Sequence, residues 1–258
     1  MTPNARFKAR LTARAPLIGC FVKTPHPIVI EVLGAGPLDF LVLDAEHAAF
    51  DRAAIDLCLL AARAVGVAVL VRVPDDAPST ILNALDCGAA GVVVPHVTSV
   101  EQARALALAM HYRPGGRGIA GTTRAGGYGT RPLAEHRRIA GDEVSLICQI
   151  EDREGVDCAA GIAAVDGVDG LFLGRADLSV SYGFADFNAP EITTICDQVL
   201  TARGAALGLF CAPGEPVGPW RQKGASFVIA GSDHSFLAQG AKDLAAATRP
   251  DLTAKETP

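Results

Sequence analysis

Short apolar runs recur along the chain, each four to seven residues long and without polar alternation. They are Leu17–Phe21, Phe40–Leu43, Val67–Val73, Gly91–Val94, Val144–Ile150, Val168–Leu173, Ala206–Cys211 and Phe227–Ala230. Continuous runs rich in Val, Ile and Leu fit strands buried on both faces, as in parallel sheets. The stretches between them read as helices. Ser99-Val100-Glu101-Gln102 has the capping-box pattern and ARALALAMHY continues it. Asp51 caps RAAIDLCLLAARAVG, which stops at Gly66. Pro190 opens PEITTICDQVLTARG, which stops at Gly204. Ser232 or Asp233 caps a last helix that runs to about Thr248. Eight strands alternating with helices predict one (β/α)8 barrel domain over residues 1–250, followed by a frayed tail over 251–258. A doubly wound open sheet is the alternative, although no GxGxxG follows the first run.

One segment breaks the rhythm. Arg113–Arg131, RPGGRGIAGTTRAGGYGTR, is rich in Gly and Arg and too long for an ordinary connection. It reads either as a surface loop, at a subunit interface for instance, or as a lid with anion-binding arginines. The net charge of −5 argues against nucleic acid or an anionic membrane as the main partner. No apolar run approaches the roughly 20 residues of a membrane span, and the basic N-terminus lacks the apolar core of a signal peptide. The seven scattered cysteines, with no CxxC pair, predict reduced thiols in a cytoplasmic protein rather than a zinc site.

In a barrel of this kind catalytic groups gather where strands end and the next loops begin. The residues there are strongly polar. Asp44, Glu46 and His47 follow the second run, Arg72 ends the third, and His96 follows the fourth. Gln149 and Glu151 end the fifth, Gly174-Arg175-Ala176-Asp177 follow the sixth, and GSD ends the eighth. Neighbouring parallel strands lie about 4.8 Å apart, so Glu151 and Asp177 can converge on one cation. Two carboxylates with open positions suit a hard divalent ion, and helix capping is their other reading. Arg72 either pairs with Asp44 or Asp86 or holds a substrate carboxylate or oxyanion. His47, flanked by two acids, is the leading acid/base. No lysine stands at these strand ends, since Lys23 reads as a loop residue, and this weakens a Schiff-base mechanism. Spacing alone reaches a metal-assisted enzyme acting on a small anion.

The stretches LDAEH, VRVP, DCGAAGVVVPHV, QIED and GVDGLFLGRADLS together resemble the HpcH/HpaI aldolases, class II metal-dependent pyruvate aldolases, over nearly the whole chain. The resemblance implies Glu151 and Asp177 as ligands of Mg²⁺, Mn²⁺ or Co²⁺. It implies Arg72 as the group holding the pyruvate oxygens, and His47 as acid/base with Asp44 and Asp86 as supporting carboxylates. Gln149 matches a polar contact beside the metal, and the backbone of Gly174, Arg175, Ala176 and Asp177 matches the segment that receives the substrate carboxylate. The implied reaction cleaves or forms 4-hydroxy-2-oxo acids through a pyruvate enolate, with an aldehyde as the other partner. A homo-oligomer is implied too, a hexamer built from dimers that exchange their last helix. The chain departs from the family pattern at Arg175, where GPADLS has Pro, and at His96, where an apolar residue is frequent. Two further readings stay open: other enolate chemistry, citrate-synthase-like or acyl-CoA lyase, and a non-catalytic barrel that binds an oxo acid.

Overall fold

A computed structural model describes the backbone of residues 1–253 and the side chains through Arg249. Eight parallel strands close into a barrel in sequence order: β1 (Leu17–Val22), β2 (Phe40–Asp44), β3 (Ala68–Arg72), β4 (Gly91–Val94), β5 (Ser145–Ile150), β6 (Gly170–Leu173), β7 (Ala206–Cys211) and β8 (Phe227–Ser232). The helices are α1 (Pro3–Thr12), α2 (Pro27–Gly34), α3 (Arg52–Val65), α4 (Pro78–Asp86), α5 (Val100–Ala109) and α6 (Leu133–Glu143). They continue as α7 (Arg153–Ala163), α8 (Arg175–Tyr182), α9 (Pro190–Val199), α10 (Gly218–Gln222) and α11 (Asp233–Thr253). The fold is a (β/α)8 barrel, and the open-sheet alternative falls because β1 pairs with β8.

The strands are apolar over most of their length because both of their faces are covered, yet the two faces meet different neighbours. Phe40, Val42, Leu70, Ile147, Phe172, Phe227 and Ile229 point into the barrel. Leu41, Leu43, Val69, Val71, Cys148 and Leu171 pack outward against the helices. The inward series continues past the apolar residues to Asp44, which stands in register with Arg72, and to Gln149, which stands opposite Phe172. The same alternation that fills the barrel therefore delivers polar side chains to its C-terminal mouth. The opposite mouth is closed by α1, whose Phe7 and Leu11 are buried in the interior cluster. The Phe7 and Phe40 ring centroids lie 5.1 Å apart. Burying each of these two side chains contributes about 1.5–3 kcal/mol.

The helix signals act as the sequence indicates. Asp51 Oδ1 accepts from the Ala54 N–H at 2.8 Å, and α3 ends at Gly66 with φ 76°. Ser99 Oγ accepts from the Gln102 N–H, while Gln102 Oε1 accepts from the Thr98 N–H. Ser232 Oγ accepts from the Ser235 N–H, so Ser232 caps α11. Asp233 instead turns its carboxylate to the N–H groups of Lys23 and Thr24, which it accepts, tying the end of β8 to the end of β1. Two boundaries differ from the sequence reading. Helix α9 ends at Val199 instead of near Gly204, and the Thr201 hydroxyl donates back to the Gln198 carbonyl at the break. Helix α11 reaches Thr253, and residues 254–258 of the expected tail lie outside the described residues. None of the seven cysteines is in a disulfide. Burial pushes the Cys20 and Cys196 thiols up to about 12. Among the described residues no helix is long and apolar enough to cross a membrane.

Candidate active site

The C-terminal mouth holds a cavity of about 390 Å³, lined by Lys23, His47, Arg72, Gln149 and the segment Gly174–Asp177, with Phe21, Phe172 and Phe210 on its inner wall. Its charged frame begins with Asp44 and Arg72. Asp44 is fully buried, and its Oδ1 accepts from Arg72 Nε at 3.0 Å and Nη2 at 2.8 Å. The backbone N–H of His47 donates to the same oxygen at 3.2 Å. Burial by itself raises the Asp44 carboxyl, but the Arg72 charge and hydrogen bonds, with His47 N–H and Lys23, outweigh it and hold the carboxyl below its usual range. Arg72 also meets Glu46 Oε2 at 3.2 Å and lies over the Phe21 ring at 4.4 Å. A guanidinium fixed on two carboxylates and a ring is set before any substrate arrives, which suits stabilisation of an oxyanion.

Glu151 forms the second part. Its side chain is almost wholly buried. The His96 N–H donates to Oε1 at 2.9 Å, and the Gln149 amide donates to Oε2. Burial still raises this carboxyl, and the Asp177 charge adds to the rise. A Cβ at Gly174 would stand 2.6 Å from Glu151 Oε2, so any larger residue there would oblige the carboxylate to move. Gln149 Oε1 is buried without a hydrogen-bond partner. Glu46, His96 and Glu151 offer ligand atoms that all lie within 4.8 Å of one another. A buried carboxylate short of positive charge, next to an unbonded amide oxygen and a second acid, fits a divalent cation. Asp177, exposed in the first turn of α8, borders the same cavity but is outside that tight group.

The remaining expected groups divide. His47 lines the cavity with its ring half exposed, and Nε2 is 3.7 Å from Glu46 Oε2. The acid nearest this ring is thus Glu46, while Asp44 holds the His47 backbone. Asp86 of the same chain does not join them. It is the last residue of α4, and helices run back toward the N-terminal end of the barrel, where Asn4 of α1 donates to the Gly88 carbonyl. In place of His47, Asp86 senses Arg117, Arg52 and His136, and burial raises its carboxyl. Within this chain the segment Arg113–Arg131 does not cover the cavity, for the same topological reason: it follows α5 and precedes α6 and β5, at the end opposite the cavity. Lys23, set aside in the sequence reading as a loop residue, is placed at the site after all. It borders the cavity, with Nζ 3.3 Å from Asp44 Oδ2. Its position one residue past β1 is the signal that points to it.

The profile of the HpcH/HpaI aldolase/citrate lyase family matches residues 17–239. The chain belongs to the HpcH/HpaI aldolase/citrate lyase family. The hydroxypyruvate/pyruvate aldolase of Roseovarius nubinhibens is 34% identical over 96% of this chain and 98% of its own. The 5-keto-4-deoxy-D-glucarate aldolase of Enterobacter sp. strain 638 is 35% identical over 94% and 96%. A crystal structure of an HpcH/HpaI aldolase/citrate lyase family protein from Burkholderia cenocepacia J2315 superposes with a TM-score of 0.90 at 30% identity, covering 95% of this chain and 99% of that one. With aldolases matched over almost its full length, this HpcH/HpaI chain is an enzyme, a class II aldolase-type carbon–carbon lyase. Arg175 and His96, the two residues that the sequence reading singled out against the family pattern, have distinct surroundings. Arg175 is buried, and its guanidinium donates to Glu215 Oε1 at 2.5 Å, Asn188 Oδ1 at 2.8 Å and the Phe210 carbonyl at 3.3 Å. That guanidinium ties the start of α8 to β7 and to the loops that precede α9 and α10. His96 takes the left-handed conformation, φ 53°, and its Nδ1 meets Asp152 Oδ2 at 3.0 Å. The Asp152 hydrogen bond chiefly raises the His96 imidazole above its usual value.

Proposed function

We propose that the chain is a metal-dependent aldolase that cleaves or forms 4-hydroxy-2-oxo acids, exchanging them with pyruvate and an aldehyde. The observation that carries this reading is the placement of Arg72, locked by Asp44, and the buried Glu151 on one small cavity. A cationic fork and a cation-seeking carboxylate match the two oxygens of a 2-oxo acid. The relatives' names, hydroxypyruvate/pyruvate and 5-keto-4-deoxy-D-glucarate aldolase, describe substrates with a carboxylate beside a ketone.

In this mechanism the substrate carboxylate rests on the first-turn N–H groups of α8, whose N-cap residue Gly174 supplies no side-chain cap. Arg72 donates to the 2-oxo oxygen. His47 removes the C4 hydroxyl proton. The O–H electron pair becomes the aldehyde carbonyl, the C3–C4 pair passes into the 2-oxo group, and Arg72 stabilises the resulting pyruvate enolate. His47 then returns the proton to C3. Glu151 and Asp177 would hold the Mg²⁺, Mn²⁺ or Co²⁺ ion, with Glu46 and His96 beside it and Gln149 orienting Glu151. Such an ion supplies Lewis-acid polarisation of the 2-oxo group when bound. The three phenylalanines keep water from the enolate. Lys23 is ion-paired rather than desolvated among apolar groups, which disfavours a Schiff base. The test is pyruvate release from 4-hydroxy-2-oxo acids, followed by coupled reduction. Release that a chelator abolishes and divalent metal restores supports the reading; release indifferent to chelator refutes it.

We infer in addition a homo-oligomer, a trimer of dimers that exchange α11. Beyond Asp233 nearly every described side chain of α11 is exposed, including Leu237 at 69% and Leu244 at 68%. Helix α2, next around the barrel, leaves Ile28 and Val32 exposed as well. Apolar strips of this kind are what a partner's helix would cover. Light scattering that gives a monomer would refute this. The unpaired thiols suit a reducing cytoplasm.

A further inference from the structure

We propose that the Arg175 side chain is a positioning residue for the aldolase reaction: through Glu215 and Asn188 it holds the first turn of α8, and so places the N–H groups that seat the substrate carboxylate. The inference rests on the function proposed above and adds to it a residue that acts from behind the cavity wall.

Helix α8 starts without the usual side-chain cap. Its N-cap residue, Gly174, has no side chain to offer the first turn, and the Gly174 N–H donates to the Ile150 carbonyl at 3.1 Å. An uncapped first turn is where a helix frays, yet this turn carries both the carboxylate seat and Asp177. The next residue supplies the stiffness. Arg175 is 4% exposed although it borders the cavity. Its Nη1 donates to Glu215 Oε1 at 2.5 Å and to the Phe210 carbonyl at 3.3 Å, and its Nη2 donates to Asn188 Oδ1 at 2.8 Å. The guanidinium carbon lies 5.0 Å from the centre of the Trp220 ring and 5.2 Å from that of Phe187.

The acceptors are themselves held. Glu215 Oε1 accepts from Trp220 Nε1 at 2.9 Å, and Oε2 accepts from the Ala212 N–H at 3.0 Å. The Asn188 N–H donates to Asp186 Oδ1 at 2.8 Å. A planar fork on fixed acceptors, with aromatic rings beside it, leaves the Arg175 side chain little freedom. Position passes in this way from β7 and the loops before α9 and α10 to the start of α8. The same network fixes the wall beside the seat. Phe210 and Pro213 border the cavity, and the Phe210 carbonyl and the Ala212 N–H are bonded into the network. The substrate carboxylate is unchanged by the reaction, so groups that seat it act equally on bound substrate and transition state. Their disturbance raises KM and spares kcat.

Deuterium exchange into pyruvate, at saturating Mn²⁺ and varied pyruvate, tests the assignment in full-length wild type, Arg175→Met, Arg175→Lys and Glu215→Gln, with Tm measured for each. Arg175→Met should raise the KM for pyruvate at least about tenfold, the loss of roughly one charge-assisted hydrogen bond, and leave kcat within about threefold. Glu215→Gln should raise KM too, and the double variant no more than Arg175→Met alone, because both remove one ion pair. Arg175→Lys should recover part of the loss. Should Arg175→Met fail to fold, Glu215→Gln decides by the same comparison. A lower Tm with unchanged KM would mark a brace of the fold alone and overturns the proposal. So does a fall in kcat without a rise in KM, which would place Arg175 in the chemistry. Wild type that neither exchanges nor binds pyruvate overturns the function itself and this proposal with it, whereas exchange by wild type with KM unmoved in every variant overturns this proposal alone.

Discussion

Replacing Asp44 with Asn tests the electrostatic frame of the site. The substitution keeps the shape of the side chain and removes its charge. Arg72, 6% exposed, then loses its main counterion, the acceptor of two hydrogen bonds at 3.0 and 2.8 Å. Breaking a buried pair from one side costs about 3–5 kcal/mol. Glu46 still contacts Arg72 at 3.2 Å, so the lower end applies, about 3 kcal/mol. The pH dependence has a defined sign. The folded-state pKa of Asp44 is depressed, so its contribution is present above the unfolded value, about 3.9, and is lost as pH falls through the folded value. Urea unfolding at one protein concentration, with metal removed, should therefore show a constant gap between wild type and D44N from pH 8 to about 5. The gap should narrow as pH falls below about 4. Equal stability at neutral pH, or a gap that persists when wild-type Asp44 is protonated, would refute the reasoning.

Three other changes probe separate parts. His47→Ala should lower turnover at least about a hundredfold while metal affinity by titration stays within about twofold; loss of metal binding would remove His47 from the base role. Gly174→Ala puts a methyl 2.6 Å from Glu151 Oε2, so the carboxylate must move and Mn²⁺ affinity should fall about tenfold or more; unchanged affinity would separate Glu151 from the metal. Borohydride treatment in the presence of pyruvate should leave the intact mass unaltered, and an adduct on Lys23 would establish the Schiff-base route instead.

The barrel was legible because strands buried on both faces lose the polar alternation that half-exposed strands keep. Polar residues appear only where a strand leaves the interior, so Arg72, Gln149 and Glu151 stood out. Other features depend on what meets in space. Helix α1 contributes only Phe7 and Leu11 to the interior from a basic, polar segment, too little periodicity to announce a plug. Lys23 has no acid beside it in sequence; its partner Asp44 arrives from the next strand. Asp86 and the Arg-rich segment were assignable to the far end of the barrel from element order alone, since both follow helices rather than strands. His96 and Arg175 carry their meaning in backbone angle and distant partners, Asp152 for one and Glu215 for the other.

The most direct test of the enolate chemistry is deuterium exchange into the methyl group of pyruvate, followed by proton NMR with no aldehyde present. The account predicts exchange that needs Mg²⁺, Mn²⁺ or Co²⁺, stops with chelator, and is lost in Glu151→Gln. Absence of exchange with every metal, in protein shown by titration to bind one, would contradict it.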